Sequence, residues 1–263
     1  MIAFHDVASG IKSLALESHL PVIAHISDSS LDEIKGGADT VLGALLGAVD
    51  TLMMPSFTLK CVIIPQAGPV DNALNYGSGN ENNSLAEFFT PRLPSDSLMG
   101  VAAERLRLMP EAVRSNHPLL SFAGIGVDAA IKTQTLNNPL SPLQALGDLG
   151  ASILLFGVDQ SANFSIHLAE KLAGRKQFIR WALTPAGVLE CPGFPGCNHG
   201  FNQASRLTEP VSRQMLIGTS TIKVIPLLPM VQILQQKILK DPEFLLCDRS
   251  DCDFCTAIRT SLS

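Results

Sequence analysis

A histidine and a glutamate stand three residues apart in segment 161–174, SANFSIHLAEKLAG. The pattern of this segment predicts a helix, on which His167 and Glu170 share one face beside the apolar Ile166 and Leu168. A neutral imidazole can accept a proton near pH 7, and a neighbouring carboxylate can orient the ring and stabilise the imidazolium that forms. The pair is therefore a candidate general base. An ordinary ion pair on the surface of an amphipathic helix is the competing interpretation.

Two serine-bearing segments in the first half of the chain could bind anions or carbonyl oxygens. In HISDSSLDEIKGG, from His25, Ser29 or Ser30 could cap a helical turn, and the free amides at a helix N-terminus attract anions. In RSNHPLLSFA, from Arg114, hydroxyls and backbone amides surround His117. A plain helix cap and a turn before a buried strand stay open as structural interpretations. The sequence has no G-x-S-x-G elbow for a serine nucleophile.

Five of the six cysteines fall in two short groups, one around PGFPG and one near the C-terminus: Cys191, Cys197, Cys247, Cys252 and Cys255. Four thiolates, or three with His199, would complete a tetrahedral zinc site that ties the C-terminal segment to the body of the protein. Disulfide or redox pairing and unligated thiols are the alternatives. Cys61, beside a predicted strand, is expected to be an inert buried thiol.

The composition places these residues in a globular protein. Of 263 residues, 46% are hydrophobic and 16% are charged, against about 25% charged in an average soluble protein. This excludes a disordered or fibrous chain. The net charge of −5 and the lack of clustered basic residues argue against a nucleic acid as the main partner.

Neither the N-terminal residues nor the most apolar stretch of the chain predicts a membrane location. Asp6 precedes the first basic residue, Lys12, which is the reverse of a secretory signal. Segment 224–234, VIPLLPMVQIL, is too short to cross a bilayer and contains two prolines. We therefore expect a cytoplasmic protein without a membrane span.

Apolar runs of strand length alternate with helical patterns along the chain, which predicts an α/β layer fold with mainly parallel strand pairing. Strands are predicted over residues 22–26, 52–54, 62–64, 152–158, 178–183 and 222–225. Helices are predicted over residues 3–16, 36–49, 99–109, 161–174 and 228–239, with two more on either side of 137–142. We expect one domain, 1–263, with a possible small cysteine-bearing subdomain formed by 185–210 and 241–263.

Residues 66–97 are the longest stretch without periodicity. They carry four acidic residues against one arginine. A long aperiodic loop inside a compact domain is usually functional or mobile, so we interpret this one as a lid or one wall of a substrate cleft. A loop without a function is the alternative.

Several segments follow one another along the chain: HISDSSLDEIKGGADTVLGALL from His25, MPSFT from Met54, PSDSLMGVAAERLRLMP from Pro94 running into RSNHPLLSFAGIG, SPLQALGDLGASILLFGV from Ser141, NFSIHLAE from Asn163 and GCNHGF from Gly196. As an ordered series, they resemble the aminoglycoside 3-N-acetyltransferase (antibiotic N-acetyltransferase) family. Together they cover residues 22–201. Each segment is weak alone, but the ordered series is specific.

The resemblance implies a two-lobed α/β fold with mixed sheets, here with a Cys-rich C-terminal segment. It also implies direct transfer of an acetyl group, within a ternary complex, from acetyl-CoA to the 3-amino group of an aminoglycoside. His167 would be the general base, with Glu170 as its acidic neighbour. The residues expected to line the coenzyme A groove are Ser27, Ser29, Ser30, Leu31, Ser56, Phe57, Ser115, Ser121 and Phe122.

The acceptor is the least defined part of this expectation. We expect a cationic amine to be bound by acidic residues of the long loop and by one histidine: Asp71, Glu81, Asp96 and His117. Asp28, Asp32 and Phe164 depart from the family pattern. Acetylation of another small amine, a non-catalytic coenzyme A or polyamine binder, and a zinc-stabilised interaction module are the alternatives, and the protein is expected to be a monomer or homodimer.

Overall fold

The computed structural model describes residues 1–262, which form two sheets flanked by helices. The strands are β1 (Val22–Ile26), β2 (Leu52–Pro55), β3 (Val62–Ile63), β4 (Val113–Arg114), β5 (Phe122–Ile125), β6 (Ser152–Phe156), β7 (Phe178–Thr184), β8 (Gly187–Phe194), β9 (Arg213–Ile217) and β10 (Ser220–Pro226). The helices are α1 (Phe4–Ser13), α2 (Asp28–Leu31), α3 (Gly37–Leu46), α4 (Asn80–Ser84), α5 (Gly100–Arg107), α6 (Asp128–Ile131), α7 (Ser141–Asp148), α8 (Ile166–Leu172), α9 (Ser205–Thr208), α10 (Leu227–Lys240) and α11 (Asp253–Leu262).

The larger sheet is mixed. Within residues 1–262 it has seven strands in the order β4-β5-β2-β1-β6-β10-β9. β1 pairs in parallel with β2 and with β6, whereas the outer strands pair antiparallel. The prediction of mainly parallel pairing is therefore wrong. The tight turn at Gly218, with φ +61°, joins β9 to β10 as a hairpin. Two strands joined by so short a turn can pair only in the antiparallel direction.

Helices cover both faces of the larger sheet. The central strands β1 (VIAHI) and β6 (SILLF) are almost entirely buried, as their continuous apolar sequences require. Val7 of α1, Leu42 of α3 and Leu106 of α5 pack into one apolar cluster on one face. Helices α6, α7, α8 and α10 pack on the other. Helix α8, with its histidine and glutamate, is thereby fixed against the core.

The smaller sheet has the order β3-β7-β8 and packs against the C-terminal tail, residues 241–262. Phe178 of β7 shares an apolar cluster with Cys247, Cys255 and Ile258 of this tail. Strand β8 was not predicted because its first four residues are exposed and its sequence contains Pro192. A large mixed sheet with a smaller one confirms the two-lobed fold that the resemblance implies.

Several other elements differ from expectation. The helix predicted from residue 161 begins at Ile166, because Asp159 caps a separate 3₁₀ turn, Gln160–Ala162, by accepting a hydrogen bond from the Ser161 amide. The long loop contains the short helix α4. Among the described residues, no helix is long and apolar enough to cross a bilayer.

Candidate active site

A cavity of about 520 Å³, the first cavity, opens at the carboxyl ends of β1 and β2. In sheets with parallel strands, ligands bind at this edge. Its lining includes the last residues of both strands, parts of residues 158–167, and a wall segment that we define as residues 194–198. The lining is mostly apolar, and His25, Ser161, His167 and Asn198 are its polar side chains within the described residues. It suits a ligand with an apolar arm.

His167 is held in this cavity by a buried ion-pair chain. Its Nδ1 donates to Glu170 Oε2 at 2.6 Å, and Arg175 Nη1 donates to Glu170 Oε1 at 2.5 Å. All three side chains are almost fully buried. Since Nδ1 is bound to Glu170, Nε2 is the ring atom left for a ligand. The surface ion pair considered for this helix does not describe the structure.

The tail holds this series of paired side chains in place through Arg175. Arg175 Nη2 donates to the carbonyl oxygens of Pro242 at 2.8 Å and Phe244 at 2.7 Å. The guanidinium is therefore fixed at several points, and it offsets the charge of a carboxylate that would otherwise be costly to bury.

Aromatic rings pack edge-on around the imidazole. The ring centroids of Phe164 and Phe201 lie 4.9 and 4.7 Å from that of His167, and Phe57 lies 4.5 Å from Phe164. These contacts restrict the rotation of the histidine ring and keep its surroundings apolar. Phe164, one of the departures from the family pattern, is thus part of the cavity lining.

Four cysteines meet beside the wall segment. The Sγ atoms of Cys197, Cys247, Cys252 and Cys255, the four-cysteine group, lie within 4.8 Å of one another. Cys191 lies outside the group: it is buried in β8, where burial raises the pKa of its thiol to about 12. His199 Nδ1 is 3.1 Å from Cys197 Sγ, at the edge of the group.

The sequence matches a known protein family. The family described as aminoglycoside 3-N-acetyltransferase matches residues 23–237. The chain belongs to this family. It is 30% identical over 176 residues to the SPbeta prophage-derived aminoglycoside N(3')-acetyltransferase-like protein YokD of Bacillus subtilis (strain 168), covering 63% of each chain. It is 31% identical over 190 residues to aminoglycoside N(3)-acetyltransferase VII of Streptomyces paromomycinus, covering 66% of this chain and 62% of that protein. The chain thus spans less than two thirds of the length of these relatives.

Solved structures show the same fold. The aminoglycoside acetyltransferase AAC(3)-IVa, as apoenzyme, aligns with a TM-score of 0.80 and 22% identity over 99% of this chain and 98% of that one. YokD aligns with a TM-score of 0.78 and 24% identity over 90% of this chain and 99% of that one. AAC-IIIb, solved with CoASH, aligns with a TM-score of 0.70 and 20% identity over 90% of this chain and 96% of that one.

The residues expected to bind coenzyme A are divided between different surroundings. Phe57 lines the first cavity. Ser29 and Ser30 line a second cavity of about 650 Å³, which shares Val158 with the first and is bounded by hydroxyls and amides together with the charged side chains of Asp159 and Lys223. Ser27 is half-buried, and its hydroxyl bonds to that of Ser29.

The remaining residues of that set are buried in the fold. Ser56 Oγ bonds to Ser95 Oγ, Ser121 Oγ donates to the Ser56 carbonyl, and Ser115 Oγ accepts from the Phe122 amide. These hydroxyls hold β5 and the ends of its neighbours. Leu31 and Phe122 are core residues.

The expected acceptor residues do not line the first cavity. Asp71 and Glu81 are exposed on the long loop. Asp96 accepts a hydrogen bond from the Leu59 amide, and its own amide donates to the Phe57 carbonyl at 2.8 Å, so it positions lining residues. His117 is 4% exposed, and its Nδ1 accepts from the amide of Leu120 at 3.0 Å.

Two functional positions were missed in the sequence. Arg175 follows the end of α8, and its carbonyl partners lie 67 and 69 residues away, so no local signal identifies it. His25 lines the first cavity in the middle of an apolar strand, where a histidine could have been noticed. Burial lowers its pKa to about 4, and its Nε2 has no hydrogen-bond partner among residues 1–262.

Acid should destabilise the protein through His117, whose pKa is lowered by burial to about 4. The unfolded chain, with an ordinary histidine pKa near 6.5, then binds the extra proton between pH 6.5 and 4, so stability falls as the pH falls. His117→Asn keeps an acceptor for the amides of Leu119 and Leu120, which both donate to His117 Nδ1, but does not titrate. We expect the loss of unfolding free energy between pH 7 and 4 to be about 3 kcal/mol smaller in this variant. Denaturation curves at each pH measure it, with the exposed His19→Asn as control; equal pH dependence in both variants would contradict the assignment.

Replacing the buried Arg175 should lower the free energy of unfolding much more than replacing the arginine of an exposed ion pair. Arg175→Gln leaves the buried Glu170 carboxylate without its cation, which we expect to lower the unfolding free energy by about 3–5 kcal/mol. The matched control is Arg105→Gln, since Arg105 pairs with Asp39 at 2.6 Å but both side chains are more than half exposed. That change should cost less than about 1 kcal/mol. Urea denaturation, followed by the fluorescence of Trp181, the single tryptophan of the sequence, measures the loss of unfolding free energy in both variants. Equal losses would show that the buried contacts of Arg175 stabilise the protein no more than the exposed ion pair does.

Proposed function

We propose that the protein transfers an acetyl group from acetyl-CoA to an amine, with aminoglycosides as the first acceptor class to test. The observation that carries the proposal is the position of His167: it lines the cavity while Glu170 holds its Nδ1. Family membership supports the reaction class. The names of the relatives support the acceptor class.

His167 acts as the general base in this proposal. An ammonium has no free electron pair, so Nε2 must take a proton before the amine nitrogen can form a bond to the acetyl carbon. Glu170 keeps the imidazole in the tautomer whose Nε2 is unprotonated and stabilises the imidazolium that results. When the carbon–sulfur bond breaks, the same imidazolium can return its proton to the leaving thiolate, and the nitrogen, which is cationic after it attacks, loses its second proton to water as the amide forms. Arg175 positions Glu170 and takes no part in the proton transfers.

The two adjoining cavities fit the parts of a coenzyme A donor. The first has an apolar lining suited to a pantetheine arm, and the second offers the hydroxyls of Ser29, Ser30 and Thr221 for a polar phosphate-bearing end. When bound, the thioester supplies the acetyl group. Phe57 and Phe164 would contact the arm near His167.

A small amine of low charge is a second acceptor class. Among the described residues that line the first cavity there is no aspartate or glutamate. A polycationic aminoglycoside would need its ammonium groups paired outside this cavity, for example by Asp71, Glu81 or Asp96, whereas a small monoamine would not. A panel of acceptors should therefore contain both classes.

Replacing the general base should slow turnover strongly without loss of donor binding. For His167→Ala we expect kcat to fall by about 100-fold or more, because proton transfer by a positioned side chain contributes about 10²–10⁴-fold. Release of the coenzyme thiol is measured with the acceptor panel, and coenzyme A binding by calorimetry. His5→Ala, on the exposed face of α1, is the control. Unchanged turnover in His167→Ala would reject the role of the base; binding without turnover of any acceptor by the wild type would favour a non-catalytic binder.

We also propose that the four-cysteine group binds one zinc ion. A tetrahedral ZnS₄ centre with bonds of about 2.3 Å has sulfur–sulfur separations of about 3.8 Å. Cys197 and Cys247 are 3.8 Å apart, and Cys247 and Cys255 are 3.5 Å apart. These distances are too long for disulfides, whose sulfur atoms are about 2.05 Å apart. The support for zinc is therefore the arrangement of four thiols at nearly the spacing of its ligands.

Metal analysis of the purified protein by mass spectrometry should find about one zinc ion per chain. Its four group thiols should resist a thiol reagent until a chelator is added, because the thiolates are bound to the metal. Cys61→Ala, which removes a buried thiol outside the group, should keep the full zinc content. Less than about a tenth of an equivalent in the wild type would exclude the site.

A further inference from the structure

The wall segment of the first cavity contains one of the four cysteines. Cys197 stands between Gly196 and Asn198, and both of these neighbours line the cavity. Asn198 Nδ2 donates to the carbonyl of Ser161 at 2.8 Å, and Ser161 is also a lining residue. Any displacement of Cys197 therefore moves the surface that faces a ligand.

The other three cysteines belong to the tail. A metal ion held by the group would link Cys197 to Cys247, Cys252 and Cys255, and so fasten the cavity wall to a segment whose first cysteine lies 50 residues later. The direct thiol contacts, at 3.5–3.8 Å, are weak hydrogen bonds at most. Phe194 of the wall and Phe254 of the tail meet through the guanidinium of Arg180, at 5.4 and 4.8 Å from the two rings.

The same tail reaches the cavity from behind. Upstream of Cys247, the carbonyl oxygens of Pro242 and Phe244 hold Arg175, which holds Glu170 behind His167. Arg259 of α11 donates to the Cys247 carbonyl at 2.9 Å, so the two parts of the tail are joined at this cysteine. The four-cysteine group is thus the point at which the wall and the support of the general base meet.

We propose that zinc at the four-cysteine group and coenzyme A in the first cavity bind cooperatively, because the metal fixes the wall segment in its ligand-binding position. The inference rests on the zinc site and the donor site proposed above. If the metal-free wall occupies that position about a tenth of the time, the apparent Kd for coenzyme A rises about tenfold when zinc is removed. Linkage then requires that coenzyme A tighten zinc binding by the same factor.

The test uses the wild-type chain. The Kd for zinc is measured against a competing chelator with and without saturating coenzyme A, and the Kd for coenzyme A is measured by calorimetry on zinc-loaded and zinc-free protein. We expect both ratios to be about tenfold and equal. Ratios within twofold of one, while both ligands bind, would overturn the inference. Absence of zinc binding would instead reject the metal site, and absence of coenzyme A binding would reject the donor site.

Variants separate this coupling from a general loss of structure. Cys252→Ala removes a ligand and should lose zinc and bind coenzyme A about tenfold more weakly, whereas Cys252→His supplies another zinc ligand and should restore both. Cys191→Ala removes a buried thiol outside the group and should change neither. Loss of zinc in Cys252→Ala with unaltered coenzyme A binding would count against the proposal. If that variant does not fold, the wild-type linkage ratios decide the question.

Discussion

The carboxylate of Glu170 is the constraint on which the site depends. It is a buried charged group, and removing a charge from water costs free energy. Contacts with His167 on one side and Arg175 on the other offset this cost. For Arg175 to reach Glu170, the polypeptide must end helix α8 and reverse direction immediately. Gly174, with φ +79°, allows that turn, and the Arg175 amide donates to the Glu170 carbonyl at 3.0 Å. The tail carbonyls then fix the guanidinium. A local glycine and a distant segment are thus both required for one orientation of one imidazole.

The apolar surroundings of the imidazole follow from the same arrangement. Strands β1 and β6 are buried on both faces, so the cavity at the end of β1 inherits apolar walls, and Phe57, Phe164 and Phe201 extend them to the histidine. Charge interactions are stronger where water is excluded, which makes the histidine–glutamate pair more effective but also makes any unpaired charge costly. The absence of acidic residues from the lining, within residues 1–262, is consistent with such a site.

Sequence reasoning was most accurate where a local pattern determines the structure. The apolar runs of β1 and β6 and the spacing of His167 and Glu170 gave correct elements and a correct shared face. The prediction of mainly parallel pairing was wrong because the apolar pattern of a strand does not determine which strand it pairs with, and therefore not the direction of the pairing. The serines were placed by resemblance near a groove, but the hydroxyls of Ser115 and Ser121 bond to the buried backbone at β5 and the end of β2, and that of Ser56 bonds to the Ser95 hydroxyl. The cysteines were grouped by spacing, which could not show that β8 carries Cys191 away from Cys197.

The smaller sheet explains why the cysteines lie where they do. A sheet of only three strands has little apolar surface of its own, and small units of this kind commonly need a covalent or metal link to be stable. Here the link would join the end of β8 to the tail, and the tail in turn supports Arg175. Because β8 ends at the wall of the cavity, the stability of the smaller sheet and the shape of the cavity cannot vary independently. With zinc bound, the C-terminal segment would therefore support the site from two sides, through Cys197 at the wall and through Arg175 behind His167.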